Sequence, residues 1–208
     1  YPDQPGQRAL AVKLVETFDG VLGPKARLWA YYQLGQGVAG QGRRAELIVP
    51  YAGKGAPPWE RAFLRLGWSP ALSLINRAYG CTPERAVKAT ARIDEVFDAV
   101  AERLAAKGPW LAGERFTAAD LVFAALAAPL VGPPEHPFPA PDLMALGGEA
   151  AETVTRWRTH PAGLHVLKAY REERGRVVGQ GDSAAGGAAA SNGSAPTGAD
   201  GWDGVYQP

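Results

Sequence analysis

The side chains that could act as nucleophiles are few in this chain. Cys81 is the single cysteine, and it lies just before a predicted helix N-terminus, a position that can lower the pKa of a thiol and activate it. The sequence places no base beside it, and Thr82 takes the capping position instead. We therefore interpret Cys81 as a structural cysteine.

The three histidines lack the spacing of a metal site. His160 and His165 are five residues apart with a proline between them, so they do not share a helix face as the histidines of a helical zinc site do. His136 lies far away in a proline-rich stretch. The sequence therefore predicts no metal ion. Asn192 begins a glycosylation sequon that matters only in a secreted chain.

The segment 35–40 has the glycine spacing of a dinucleotide-binding loop, with Glu60 at the distance of a ribose-binding acid. That chemistry requires a strand before the first glycine and a helix that opens at the third, so that backbone amides face the pyrophosphate. Here an aromatic-rich helical pattern precedes the glycines, and Arg43 and Arg44 follow in a loop. We favour a helix-end loop over a nucleotide site.

A helix start at Thr117 is the strongest local signal. Thr117 and Asp120 have the spacing of a capping box, in which each side chain reaches the backbone N–H of the other residue. Phe116 and Leu121 occupy the two positions of a hydrophobic staple across that box. The residues that follow are apolar almost all round, which predicts a helix at the centre of a core with the other helices packed around it.

Apolar residues elsewhere also recur at helical spacing, and no strand pattern of any strength is present. We predict a long helix from Arg8 to about Leu34, kinked at Gly23-Pro24, and a glycine-rich loop over 35–55. A second helix begins at Pro57-Pro58 and carries Trp59, Phe63 and Leu66 on one face, with a bend or restart at Ser69-Pro70.

A third helix begins at Thr82 and ends near Lys107. Its predicted inward residues are Val87, Ile93, Phe97, Val100 and Leu104. Two shorter helices over about 149–159 and 160–173 follow a proline-rich connection. The predicted fold class is an all-α bundle of about six helices.

Composition limits the function classes. The chain has 208 residues, a net charge of +1 and one cysteine, so neither nucleic acid, anionic lipid nor a disulfide framework is indicated. The apolar run 121–131 is about half the ~20 residues of a membrane span. We expect a cytoplasmic protein with a linker over 1–7, a helical domain over 8–175 and a disordered Gly/Ala/Ser-rich tail over 176–208.

The run WLAGERFTAAD over 110–120 resembles the signature of the all-helical C-terminal domain of glutathione transferases. Residues 1–19, with prolines at 2 and 5, the triplet RAL at 8–10 and the pair FD at 18–19, are similar to the interdomain linker and first helix of that domain. Residues 158–174 resemble its end in a bacterial-type subgroup. The resemblance spans about residues 1–174, and its most specific motif is the eleven-residue run.

The resemblance implies conjugation of glutathione, as co-substrate, to a small electrophile in the full-length protein, which is expected to be a homodimer. In the family a Ser, Cys or Tyr of a thioredoxin-like domain stabilises the glutathione thiolate, which then attacks. We expect this chain to start just after such a domain, so it supplies no catalytic residue and is inactive alone.

The same resemblance suggests a substrate-binding face on the first helix. Trp29, Tyr32, Gln33 and Gln36 share one face by their spacing, and in the family this part of the helix faces the electrophile. Core packing with polar tips at the edge is the alternative for these residues. For the whole chain the alternative function is a non-catalytic helical protein-interaction module, and a degenerate gene fragment is a weaker one.

Overall fold

The computed structural model describes residues 1–35, 53–137 and 143–174. The loop expected at 35–55 therefore lies largely outside the described residues, as do the proline-rich residues 138–142 and the tail from 175. The helices are α1 Pro5–Thr17, α2 Gly23–Gly35, α3 Pro58–Tyr79, α4 Pro83–Lys107, α5 Ala118–Val131, α6 Gly148–Thr159 and α7 Pro161–Glu173, with a π-helical segment at Phe18–Leu22 and a 3₁₀ helix at Leu143–Leu146.

α1, the π-helical segment and α2 run on without a break, so the described residues form six helical rods. The helix starts at Pro5 and not at Arg8, because proline needs no hydrogen-bond acceptor in the first turn of a helix. The kink predicted at Gly23-Pro24 takes the form of a π turn, in which the Gly23 N–H donates to the Phe18 carbonyl. A wider turn of this kind is typical of a π-bulge within a helix.

α3 continues through Pro70 without the restart that the sequence suggested. The helix packs chiefly against α2. Leu72 is buried on that side, whereas the predicted apolar face with Trp59, Phe63 and Leu66 points into solvent. Gly80 ends the helix in a left-handed conformation with a φ of 58°.

α4 begins at a Thr82 cap whose hydroxyl accepts a hydrogen bond from the Arg85 N–H at 3.3 Å. Of the predicted inward residues, Ile93, Phe97 and Val100 are buried and Leu104 is half-buried. Val87 was predicted wrongly, because it is 68% exposed. The inner face of the first turns consists of small residues, Ala86 and Ala89, and this allows α4 to approach α2 closely.

α5 is the central helix, as predicted, and contacts α1, α2, α6 and α7. Its single phenylalanine, Phe123, anchors an aromatic cluster: the Phe123 ring lies 5.1 Å from that of Phe18 and 5.7 Å from that of Phe97. The cluster continues from Phe97 to Trp157 at 6.1 Å and from Trp157 to Trp29 at 4.7 Å. All five rings are at most 1% exposed, so one core joins the first helical rod to α4, α5 and α6.

α6 and α7 meet at a tight corner. His160 caps α7 through its ring Nδ1, which accepts a hydrogen bond from the Ala162 N–H at 3.3 Å. Gly163 packs directly on the end of α6, where a Cβ atom would lie 1.9 Å from the Trp157 carbonyl oxygen. Only glycine fits this contact without movement of the backbone.

The predicted all-α class is confirmed. The described residues contain no β-strand, and their only bridge pairs Trp110 with Gly113. The element boundaries of the last two helices agree with the sequence within one or two residues.

Candidate functional site

The residues proposed to line a substrate site are divided by the tertiary structure. Trp29 is 1% exposed, and its ring packs edge-on against Trp157 with centroids 4.7 Å apart. Tyr32 and Gln33 are half-buried one turn further along α2, at the edge of the core. Gln36 lies outside the described residues. Of the described residues on this face, Trp29 therefore belongs to the core, and Tyr32 and Gln33 are partly accessible.

The neighbouring tyrosine has a different environment. The Tyr31 ring lies 5.2 Å from that of Tyr79 at the C-terminal end of α3. The two adjacent tyrosines on α2 therefore point in different directions, because successive helical residues are turned by 100°. Tyr31 packs α2 against α3, and Tyr32 is half-buried on another side of α2.

At the start of α5, both halves of the predicted capping box are present. Asp120 Oδ2 accepts hydrogen bonds from the backbone N–H and from the hydroxyl of Thr117, each at 2.9 Å. Oδ1 accepts a third from the Leu111 N–H at 2.8 Å. The carboxylate is 0% exposed, so these donors replace the water that it loses on folding.

A fourth partner of this carboxylate is His165, which sequence analysis did not connect with it. Nε2 of His165 lies 3.0 Å from Oδ1 of Asp120, and the histidine is 4% exposed. Its ring packs edge-on against Trp110 with centroids 5.4 Å apart. The residues are 45 positions apart, so no local sequence signal could have indicated the pair. Because both groups are enclosed and hydrogen-bonded, the site is suited to holding α5 and α7 together.

The two staple residues lie on the outer side of this network. Phe116 is half-buried and packs edge-on against Trp110 at 5.2 Å, whereas Leu121 is 57% exposed. Both line a small apolar cleft of about 190 Å³, together with Tyr170 of α7. Burial raises the pKa of the Tyr170 hydroxyl, and the nearby Arg174 opposes this effect.

Cys81 has the environment of an unreactive thiol. It is half-buried between α3 and α4, with Sγ 3.8 Å from the Leu28 carbonyl oxygen. Burial raises the pKa of the thiol, and the charge of Arg85 only partly offsets that. Both observations favour the structural interpretation over the nucleophile.

The histidines are dispersed over the structure. His160 lies 3.2 Å from the Asp98 carboxylate, and the His136 ring lies 5.5 Å from that of Tyr170 in a tilted arrangement. Within residues 1–35, 53–137 and 143–174, no group of three or more His, Cys, Asp or Glu side chains is placed to hold a metal ion.

The dinucleotide pattern begins on the wrong element. Gly35 ends helix α2, whereas the motif needs a strand before this glycine, and the other glycines of the pattern lie outside the described residues. Glu60 lies in the first turn of α3.

The sequon at Asn192 also lies outside the described residues. None of the described helices is both long and apolar enough to cross a membrane.

Comparison with known proteins identifies the domain. A family model described as "Glutathione S-transferase, C-terminal domain" matches residues 56–163, which is just over half of the chain. The matched part contains α3, α4, α5 and α6, with Leu111, Thr117 and Asp120 of the buried network, whereas His165 lies just beyond it. No curated protein and no solved structure gives a significant match. The chain therefore belongs to the glutathione S-transferase C-terminal domain family.

Proposed function

We propose that this chain forms the electrophile-binding side of a glutathione S-transferase-like protein. When it is joined to a thioredoxin-like domain, the protein conjugates glutathione to small electrophilic molecules. The observation that supports this proposal is the family match over residues 56–163. The Asp120 hydrogen bonds add support. Leu111, Thr117 and Asp120 all belong to the run over 110–120 that resembles the family signature, and their hydrogen bonds form the start of α5.

In this proposal the thioredoxin-like domain binds the co-substrate glutathione and activates its thiol. The helical chain then contributes an apolar wall that positions the electrophile and excludes water. Tyr32 and Gln33 are its best candidates, because they are half-buried on the surface of α2 and combine an aromatic ring with a polar amide. A single cysteine and dependence on reduced glutathione both fit the cytoplasm.

Two measurements test the proposal. Calorimetry of the isolated chain with glutathione should give no saturable heat, because one open wall excludes too little water to stabilise a thiolate. The chain joined to its thioredoxin-like domain should bind glutathione and conjugate a generic aryl halide. If the joined protein did not bind glutathione, the transferase function would be excluded. If the isolated chain bound glutathione, the proposal that the thioredoxin-like domain holds the glutathione site would be wrong.

Substitutions in the joined protein test the residues. Tyr32→Ala and Gln33→Ala should raise KM for the aryl halide more than KM for glutathione, since only the electrophile contacts them. Tyr31→Ala is the matched control, because this neighbouring tyrosine packs against Tyr79. Equal effects of Tyr31→Ala and Tyr32→Ala on the aryl halide would contradict the assignment. Trp29→Ala is unsuitable as a probe, because Trp29 belongs to the core.

A non-catalytic interaction module is the second candidate. A specific observation favours it: α3 exposes Trp59, Phe63, Leu66 and Leu74, which are 68%, 75%, 80% and 69% accessible. Large apolar side chains grouped on one helix face mark surfaces that bind other macromolecules. The two functions are compatible, since this face and Tyr32 lie on different helices.

A further inference from the structure

A cleft with a volume of about 350 Å³ lies between α2 and the first three turns of α4, and it is here called the basic cleft. Its volume is within the range of small-molecule sites. The lining contains four cationic side chains, Lys25 of α2 and Arg85, Lys88 and Arg92 of α4. It also contains the buried apolar side chains of Leu28 and Ala89. The basic cleft therefore combines positive charge with an apolar surface.

The three cations of α4 share one side of that helix. Arg85, Lys88 and Arg92 follow one another at intervals of three and four residues, which places them in successive turns on one face. Lys25 faces them across the contact between α2 and α4. Lys25 and Arg92 are half-buried, so their charges are less screened by water than those of a free surface.

Both arginines are held by bonds to the protein. Nη1 of Arg85 donates to the carbonyl oxygens of Tyr79 and Gly80, at 3.1 and 3.0 Å, and Nη1 of Arg92 pairs with the Glu95 carboxylate. A guanidinium carries five N–H donors, so each arginine keeps donors for a ligand after these bonds are made. The two guanidiniums are thus positioned before any ligand arrives, which lowers the entropic cost of binding.

Acidic residues do not balance this cluster. Glu95 pairs with Arg92, and Glu84 lies four residues before Lys88 on the same side of α4. Against these two carboxylates stand the four cations of the basic cleft. The excess of positive charge in a concave site attracts anions.

The placement of the cations also opposes the stability of α4. The N-terminal end of a helix carries a partial positive charge, so acidic side chains stabilise it and basic ones destabilise it. The first ten residues of α4 contain three basic side chains and a single acidic one, Glu84. A bound anion would remove this conflict, because the cations and the helix end both attract it.

We propose that the basic cleft binds a small organic compound that carries a di- or triphosphate group. The guanidiniums of Arg85 and Arg92 and the ammonium groups of Lys25 and Lys88 hold the phosphate oxygens. The organic part of the ligand covers the apolar surface of Leu28 and Ala89. A single phosphate would be too small to reach cations on both helices. Neither Tyr32 nor Gln33 lines this cleft, so the inference does not depend on glutathione chemistry.

Calorimetric titration of the whole chain with ADP, in about 50 mM salt and without divalent metal, tests the proposal. The expected result is saturable binding with a dissociation constant on the order of 100 µM. Adenosine should not bind, and pyrophosphate should bind at least about threefold more weakly than ADP, because it leaves the apolar surface uncovered. Adenosine binding as tight as that of ADP, or no binding of ADP at millimolar concentration, would overturn the proposal. Equal affinities for pyrophosphate and ADP would overturn the organic part of the ligand.

Lysine substitutions test the location of the site. Lys25→Gln and Lys88→Gln should each raise the dissociation constant of ADP about five- to tenfold, because each removes one charge from the phosphate. Lys54→Gln is the matched control, because it makes the same change at an exposed lysine outside the cleft. If Lys54→Gln weakened binding as much as Lys88→Gln did, binding would follow overall charge and the site would be wrong. Lys88→Gln should keep its melting temperature within about 2 °C of the parent, because Lys88 opposes the helix dipole.

A substitution that fills the cleft gives a test without a change of charge. Ala91 is exposed and lines the basic cleft, so Ala91→Trp should occupy it and weaken ADP binding at least about tenfold. The circular dichroism spectrum of this variant should match that of the parent, since the new side chain lies on the surface. ADP binding unchanged by Ala91→Trp would show that the ligand lies elsewhere.

Discussion

Nε2 of His165 lies 3.0 Å from Oδ1 of Asp120, and neither side chain is more than 4% exposed. Through this contact α7 is joined to the first turn of α5. The same carboxylate accepts the backbone N–H of Leu111 and of Thr117, so one buried group connects α7, α5 and the turn before α5. A buried charge with several donors stabilises only the arrangement in which all the donors are in place.

The first prediction concerns the capping box. Thr117→Ala should lower the free energy of unfolding by about 1–2 kcal/mol, because the helix start loses one partner. Asp120→Ala should cost about 3 kcal/mol or more, because four hydrogen-bond partners of a buried carboxylate lose their acceptor. In the double variant the loss should be smaller than the two losses combined. Urea denaturation measures all three, with Asp19→Ala, at an exposed position, as the control. Additive losses would contradict a shared network.

A second prediction isolates the histidine. His165→Phe keeps an aromatic ring beside Trp110 but removes the nitrogen that meets Asp120, and should cost about 1–3 kcal/mol. Combined with Asp120→Asn, the same substitution should cost less than it does in the parent, because its partner has already lost its charge. Guanidinium denaturation of the four proteins gives the coupling energy. A coupling energy of zero would show that His165 contributes only packing.

A third prediction concerns Gly163, where alanine would favour the helix by its propensity but would clash with a neighbouring backbone. Gly163→Ala should destabilise the protein by more than about 3 kcal/mol, because the new Cβ would lie 1.9 Å from the Trp157 carbonyl oxygen. Gly67→Ala is the matched control, since a Cβ at this α3 position meets nothing within 4 Å. Thermal unfolding should show it to be neutral or more stable by up to about 1 kcal/mol. If both variants behaved alike, the close contact between α6 and α7 would be absent.

The fourth prediction concerns the pH dependence of Cys81. Because burial raises the pKa of the thiol in the folded chain, the unfolded chain loses this proton at lower pH. Its contribution to stability is therefore complete below the unfolded pKa and is lost as pH rises through the folded pKa. Iodoacetamide should alkylate the folded chain more slowly than the urea-unfolded chain at pH 8, and Cys81→Ser should remove the signal. Faster alkylation in the folded chain would indicate an activated thiol.

The sequence alone determined the features that depend on neighbours within one turn or one helix. The Thr117 cap, the proline at the start of α4 and the apolar run of α5 are local signals, and they were sufficient for an all-α fold. The eleven-residue run over 110–120 indicated the family. The boundaries of α6 and α7 followed from the same kind of signal.

The tertiary structure decided which of these faces is covered. Hydrophobic periodicity could not predict that Val87 and the α3 face with Trp59 are exposed to solvent. An apolar stripe has the same spacing whether it packs on the core or on another molecule. Trp29 and Tyr32 share a helix face, yet only the packing of Trp157 separates a core residue from a half-buried one. The bond between Asp120 and His165 joins residues 45 positions apart, and only the folded chain brings them together.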